Sequence, residues 1–247
     1  MNCFRDAVLG RWSALVLVVG MGIGVGVGAE GKDEGRGVRL EERFGRLREK
    51  LGKGSGDRAG LVGEAVVVKM LRGGLPGKMW KAKLGETEFR LTIEDGLELK
   101  PEAALAVLEK LPPVYRRALV IVSEGKKDGA AYYKDLDGAA AHGSQDYLNM
   151  IAKADVSVVA HEAGHILEQR ATAADPEVLA RWKEAIAADK VSVSRYGDQV
   201  AHEDLAEFAR VYALCLAGGK EALEELRTAS PRRFEQWEAI LKPAKKE

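Results

Sequence analysis

Cysteine is scarce, with two in 247 residues. Cys3 precedes an N-terminal apolar run, where it is not placed as a lipoprotein cysteine, and would leave with that run. Cys215 is then alone, which excludes an internal disulfide. It lies in an apolar helical stretch and reads as a small core residue. An excess of charge of one sign is also missing: 38 Lys+Arg stand against 38 Asp+Glu. Nothing in that balance points to nucleic acid or to an acidic partner. No internal repeat is present. Against these absences, a hydrophobic content of 46% is enough for a sizeable core. The length fits one domain with extra segments, or two small domains.

The N-terminus reads as a leader. Arg5 and Arg11 precede an uncharged run from Trp12 to Ala29, most apolar over 14–19. Val27 and Ala29 sit at the −3 and −1 positions of a cleavage site after Ala29. This is the layout of a secretory signal peptide. The run is near the lower limit for a membrane span, and its many glycines weaken it as a permanent anchor. A secreted or periplasmic protein is expected. If the segment stays, the protein is membrane-anchored and faces outward.

Three regions follow: a signal peptide over 1–29, a charged, Gly-rich linker over 30–58, and the compact domain over 59–247. Within the linker Leu40, Phe44, Leu47 and Leu51 recur at helical spacing and predict one short amphipathic helix. A strand is expected over 64–70 and a hairpin over 79–84 and 88–93, turning at Gly85-Glu86. Pro101 opens a helix to about Leu111, and Pro112-Pro113 stops it. Segment 118–123 is a continuous apolar run of inner-strand type, and 130–133 suggests a further strand. Segment 138–150, with its many small residues, is the least readable. From Asp155 onward the chain reads as helical, with Asp155 as one N-cap and Asp175-Pro176 restarting the next helix. Further helices begin near Val200, at Lys220 and at Pro231. The fold class expected is α+β: a small mixed or antiparallel sheet, then a helical C-terminal half.

His161-Glu162-Ala163-Gly164-His165 is the HExxH pattern. Residues four apart on a helix share a face, so both imidazoles can reach one metal ion. Glu162 lies about 100° round the helix from His161, flanking the metal rather than binding it. There it can take a proton from water at the metal. The surrounding Val156, Val158, Val159, Ala160, Ile166 and Leu167 make this helix apolar nearly all round, so it should be buried. Two buried histidines and a glutamate need a partner.

A catalytic zinc takes three protein ligands. The metzincin continuation fails, because Glu168 and Ala171 stand where its glycine and third histidine belong. Downstream, Glu203 and Glu207 are again four apart, and Leu205, Phe208, Tyr212 and Cys215 form the apolar stripe opposite them. A first helix carrying HExxH and a later helix carrying a glutamate ligand is the gluzincin arrangement. Residues 155–215, with Tyr196-Gly197, Glu203-Asp204-Leu205-Ala206-Glu207-Phe208, resemble the catalytic domain of anthrax lethal factor and related secreted endopeptidases. The HExxH helix is also similar to that of thermolysin. The substrate-amine motif of the aminopeptidase gluzincins, Gly-x-Met-Glu-Asn, is lacking.

The resemblance implies a zincin-like fold, one Zn2+ held by His161, His165 and Glu203, and a tyrosine, Tyr196, aimed at the zinc-bound oxygen. It also implies that the edge strand before HExxH binds extended substrate. Chemistry fits the same roles. Glu203 is a hard anionic ligand, Glu207 can accept the free N–H of a ligand histidine, and Tyr196 can donate to a developing oxyanion. Plainer readings stand beside these: a solvated helix residue for Glu207, a loop aromatic over the core for Tyr196, and an ordinary loop histidine for His142, which otherwise lines the cleft. His202 competes with Glu203 as ligand, but the four-residue spacing to Glu207 favours Glu203. The expected function is an exported zinc endopeptidase acting on peptide or protein substrates. The alternative is a non-catalytic exported domain that keeps the fold and the zinc.

Overall fold

The computed structural model describes residues 38–120, 129–144 and 147–242. The leader over 1–29 lies outside them. Among the described residues, no helix is long and apolar enough to cross a membrane.

The chain opens with α1 (Leu40–Phe44), a 3-10 turn and α2 (Arg48–Lys53). Three antiparallel strands follow: β1 (Ala59–Lys69), β2 (Pro76–Leu84) and β3 (Thr87–Glu94). Helix α3 (Pro101–Leu108) and a 3-10 segment (Pro113–Leu119) lead to β4 (Gly129–Tyr133), β5 (Ala141–Ser144) and β6 (Tyr147–Ile151). The remainder is helical: α4 (Val156–Ala174), α5 (Val178–Asp189), α6 (Ala201–Gly218), α7 (Lys220–Ala229) and α8 (Pro231–Leu241). The result is a mixed α/β fold with a six-stranded mixed sheet in the order β1-β2-β3-β4-β6-β5.

Strand β4 is parallel to both neighbours, β3 and β6, and all five of its residues are buried. A strand buried on both faces carries no polar alternation, and its small residues alternate with nothing. The core lies between the sheet and the helices. Leu91, Ala130, Tyr132, Leu148 and Met150 of the sheet join Val159, Ala163, Ile166, Leu205, Phe208 and Trp237 in one buried cluster. Met70, Ala131, Tyr133, Leu136 and Ala139 form a smaller cluster apart from it.

Two sequence expectations change here. The one helix expected within the linker is two short helices joined by a 3-10 turn over residues 40–53, and its apolar face is part of the core. Leu40, Phe44, Leu47 and Leu51 are buried in the main cluster, and the segment packs on α6. Its own spacing of apolar residues announced a buried face, while the glycines and charges flanking it suggested a linker. The inner strand expected over 118–123 is absent at its start. Ala118 and Leu119 end the 3-10 segment that Pro113 opens, and both are buried there. Residues 121–123 lie outside the described residues. The unreadable stretch 138–150 supplies β5 and most of β6.

β5 forms one margin of the sheet, antiparallel to β6, and runs beside α4. A side chain at Gly143 would collide with the backbone of Glu162. The missing Cβ is what lets the strand lie directly on the HExxH helix. His142 lies on β5 next to Gly143, with Asn149 as its cross-strand neighbour. The residue read as an ordinary loop histidine is thus a strand residue, half-buried in β5.

Candidate metal centre

The site is built on α4 and α6. Asp155 caps α4: its carboxylate accepts from the N–H groups of Ser157 at 2.8 Å and Val158 at 3.0 Å. This fixes the first turn of the helix two turns before His161. The two helices meet where their side chains are smallest. A Cβ on Gly164 would stand 2.7 Å from Ala209 Cβ and 3.1 Å from Ala206 Cα. Gly164, between the two histidines, thus allows α6 to approach closely enough for Glu203 to reach them.

The start of α6 is anchored from the other side. Asp204, next to Glu203, is buried and accepts from Trp182 Nε1 at 2.9 Å and from Arg233 Nε at 2.8 Å. A second Arg233 nitrogen reaches its other oxygen at 3.0 Å. This bidentate pair ties the start of α6, beside Glu203, to α8. Tyr196 is placed by the turn before α6, where Ser194 Oγ accepts the Gly197 N–H at 2.8 Å.

His161, His165 and Glu203 each bring a ligand atom to one point, all within 4.8 Å of one another. Glu203 Oε2 lies 3.4 Å from His161 Nε2 and 3.3 Å from His165 Nε2. It is buried and has no hydrogen-bond partner. The reason is visible on the far side of the His161 ring, where Nδ1 lies 2.8 Å from Glu207 Oε1. An imidazole that donates from Nδ1 to a carboxylate presents a lone pair at Nε2. A neutral His161 would set that lone pair against the buried Glu203 oxygen, so a proton on Nε2 or a metal ion between the groups is called for. The donor set, two imidazoles and a carboxylate, suits zinc.

Electrostatics agree. Burial lowers the His161 pKa, but Glu203, Glu207 and Glu162 outweigh it and raise the imidazole to about 10. Glu207, despite burial, is drawn down to about 2 by His161 and Arg210. Burial pushes Glu203 up, and the two histidines more than reverse this, leaving it well below its ordinary value. Without a metal, a proton holds the site together; metal and proton compete for His161 Nε2. Below a pKa of about 10 a binding metal must expel that proton. Zinc affinity is therefore expected to rise with pH between 6 and 8, by about tenfold per unit for one proton released. Chelator competition across that range measures it. A flat profile would show that His161 is not protonated in the metal-free protein.

The other sequence-derived residues are close by. Glu162 is half-buried beside the cluster. The Tyr196 ring lies 5.9 Å from that of His161. Burial, then the Glu203 carboxylate, hold its hydroxyl well above the ordinary phenol range, so it stays protonated. His202 remains outside the ligand cluster among the described residues. It is 52% exposed, with Nε2 at 3.4 Å from Glu203 Oε1. Sequence reading missed Arg210, which holds both oxygens of Glu207, with Nε at 3.1 Å from Oε1. Its position three residues after Glu207, on the same helical face, was the available signal.

No family model, curated protein or solved structure matches the chain.

Proposed function

We propose that the protein is an exported zinc-dependent endopeptidase of zincin-like, gluzincin type, with His161, His165 and Glu203 as the metal ligands. The observation that carries this reading is the buried, unpartnered Glu203 Oε2 facing both histidine Nε2 atoms, with Glu162 alongside. Bound at that point, zinc supplies a Lewis acid that acidifies water and polarises a peptide carbonyl.

The remaining roles belong to the chain. Glu162 accepts a proton from the attacking water and delivers it to the leaving amine. Tyr196 donates its hydroxyl to the oxygen that gains charge as the carbonyl is attacked. Glu207 keeps the His161 ring in the Nδ1–H tautomer, leaving Nε2 free for the metal. The margin of β5 offers backbone groups to an extended peptide, beside the helix that carries Glu162. The leader-like segment 1–29 supports action outside the cytoplasm.

Tyr196 gives a test specific to this mechanism. Tyr196→Phe is expected to keep zinc and substrate affinity and to lower kcat by roughly 10²–10³, the usual effect of one lost oxyanion donor. Steady-state kinetics on a cleaved peptide decide it. A change in KM alone would place Tyr196 in substrate binding instead.

A further inference from the structure

We propose that the N-terminal helical segment is a working part of the metal centre, with Glu41 as a positioning residue for His161. The inference rests on the metal reading above and extends it by two residues along a continuous hydrogen-bonded chain, buried at Glu207 and half-buried at Glu41. His161 Nδ1 donates to Glu207 Oε1 at 2.8 Å. Arg210 grips the same carboxylate, with Nε at 3.1 Å from Oε1 and a terminal nitrogen on Oε2. That terminal nitrogen also donates to Glu41 Oε2 at 2.9 Å. The side chains of Glu207 and Arg210 are 7% and 12% exposed and that of Glu41 is 30% exposed, so water screens the inner links little and the Glu41 link more.

Glu207 holds Arg210 through two nitrogens, Nε and the terminal nitrogen on Oε2, the fork geometry that fixes both planes. Glu41 takes a further bond from that same terminal nitrogen and so ties the Arg210–Glu207 pair to α1. Glu41 thereby fixes Arg210, Arg210 fixes the plane of Glu207, and Glu207 fixes the His161 ring. Supporting partners of ligand histidines act in this way on metal affinity.

A second arm leaves the same place. Helix α1 has no side-chain cap. Its Leu40 and Glu41 N–H groups donate instead to the carbonyls of Ser192 and Val193, at 3.1 and 3.0 Å. Val193 precedes Ser194, whose hydroxyl shapes the turn that carries Tyr196. The first turn of α1 therefore reaches both a metal ligand and the tyrosine of the site, while lying far from both in sequence.

The test uses the full-length chain and two readouts, zinc affinity by chelator competition and melting of the metal-free protein. Glu41→Ala is expected to weaken zinc binding by about 3–10-fold, less than the roughly 10–100-fold for a direct partner of a ligand histidine. Glu41→Gln, which still accepts from Arg210, should retain most of the affinity. Glu42→Ala removes the neighbouring first-turn acid, which pairs with Arg39 at 3.5 Å, and should leave zinc binding unchanged. In an Arg210→Met background, Glu41→Ala should have no further effect on zinc. A loss of melting temperature with unchanged zinc affinity would overturn the proposal, as would an equal effect in the Arg210→Met background. A wild-type protein that binds no zinc would overturn the metal reading and this proposal with it. Normal zinc binding indifferent to Glu41 would overturn this proposal alone.

Discussion

Glu162→Gln is expected to bind zinc as the wild type does and to lose hydrolysis by about 10²–10⁴-fold, the range for a removed general base. The substitution keeps size and shape, so the half-buried position beside His161 is not disturbed. An amide cannot accept the proton of the attacking water or return it to the leaving amine. Glu162 is not among the residues whose ligand atoms converge, so the metal should stay. Its negative charge raises the His161 pKa after the hydrogen bonds to Glu203 and Glu207, which the substitution leaves in place. Metal analysis and kcat, measured on the same preparation, separate the two effects. Intact activity in Glu162→Gln would sink the mechanism whatever the zinc content.

The second large effect is on the metal. Glu203→Ala should reduce zinc affinity by more than the roughly 10–100-fold seen for a supporting partner, because it removes a ligand outright. Two imidazoles one helical turn apart are left, without the anionic oxygen that faces them at 3.4 and 3.3 Å. A catalytic zinc with two protein ligands is under-coordinated. His202 is the informative neighbour, since its ring lies 5.8 Å from that of His165. Full zinc retention in Glu203→Ala would move the third ligand to His202, and the double substitution would then release the metal.

The cluster of His161, His165 and Glu203 was legible because its signals are local. The four-residue spacings of His161 and His165, and of Glu203 and Glu207, translate directly into shared helix faces. Asp155 as an N-cap is equally local, and it caps α4 as its position suggested. What stayed hidden depends on distant partners. β5 and β6 are built from Ala, Gly, Ser and Asn as well as apolar residues, and only pairing across the sheet makes them strands. The run at 118–123 has strand composition, yet Pro113 starts a 3-10 segment that absorbs Ala118 and Leu119. Arg210 and Glu41 are 169 positions apart, and no pattern within either neighbourhood announces their contact. The buried helical segment over 40–53 was visible as helical but not as core, because its destination on α6 is a tertiary fact.

Peptide turnover tests the central claim most directly. The zinc-loaded wild-type chain is incubated with a mixed pool of unmodified peptides, and new termini are read by mass spectrometry. Internal cleavage is expected, lost when a chelator strips the metal and restored when zinc is returned. A chain that holds its zinc at His161, His165 and Glu203 and cuts nothing across a broad pool would contradict the account, and would make this a binding domain with a structural metal.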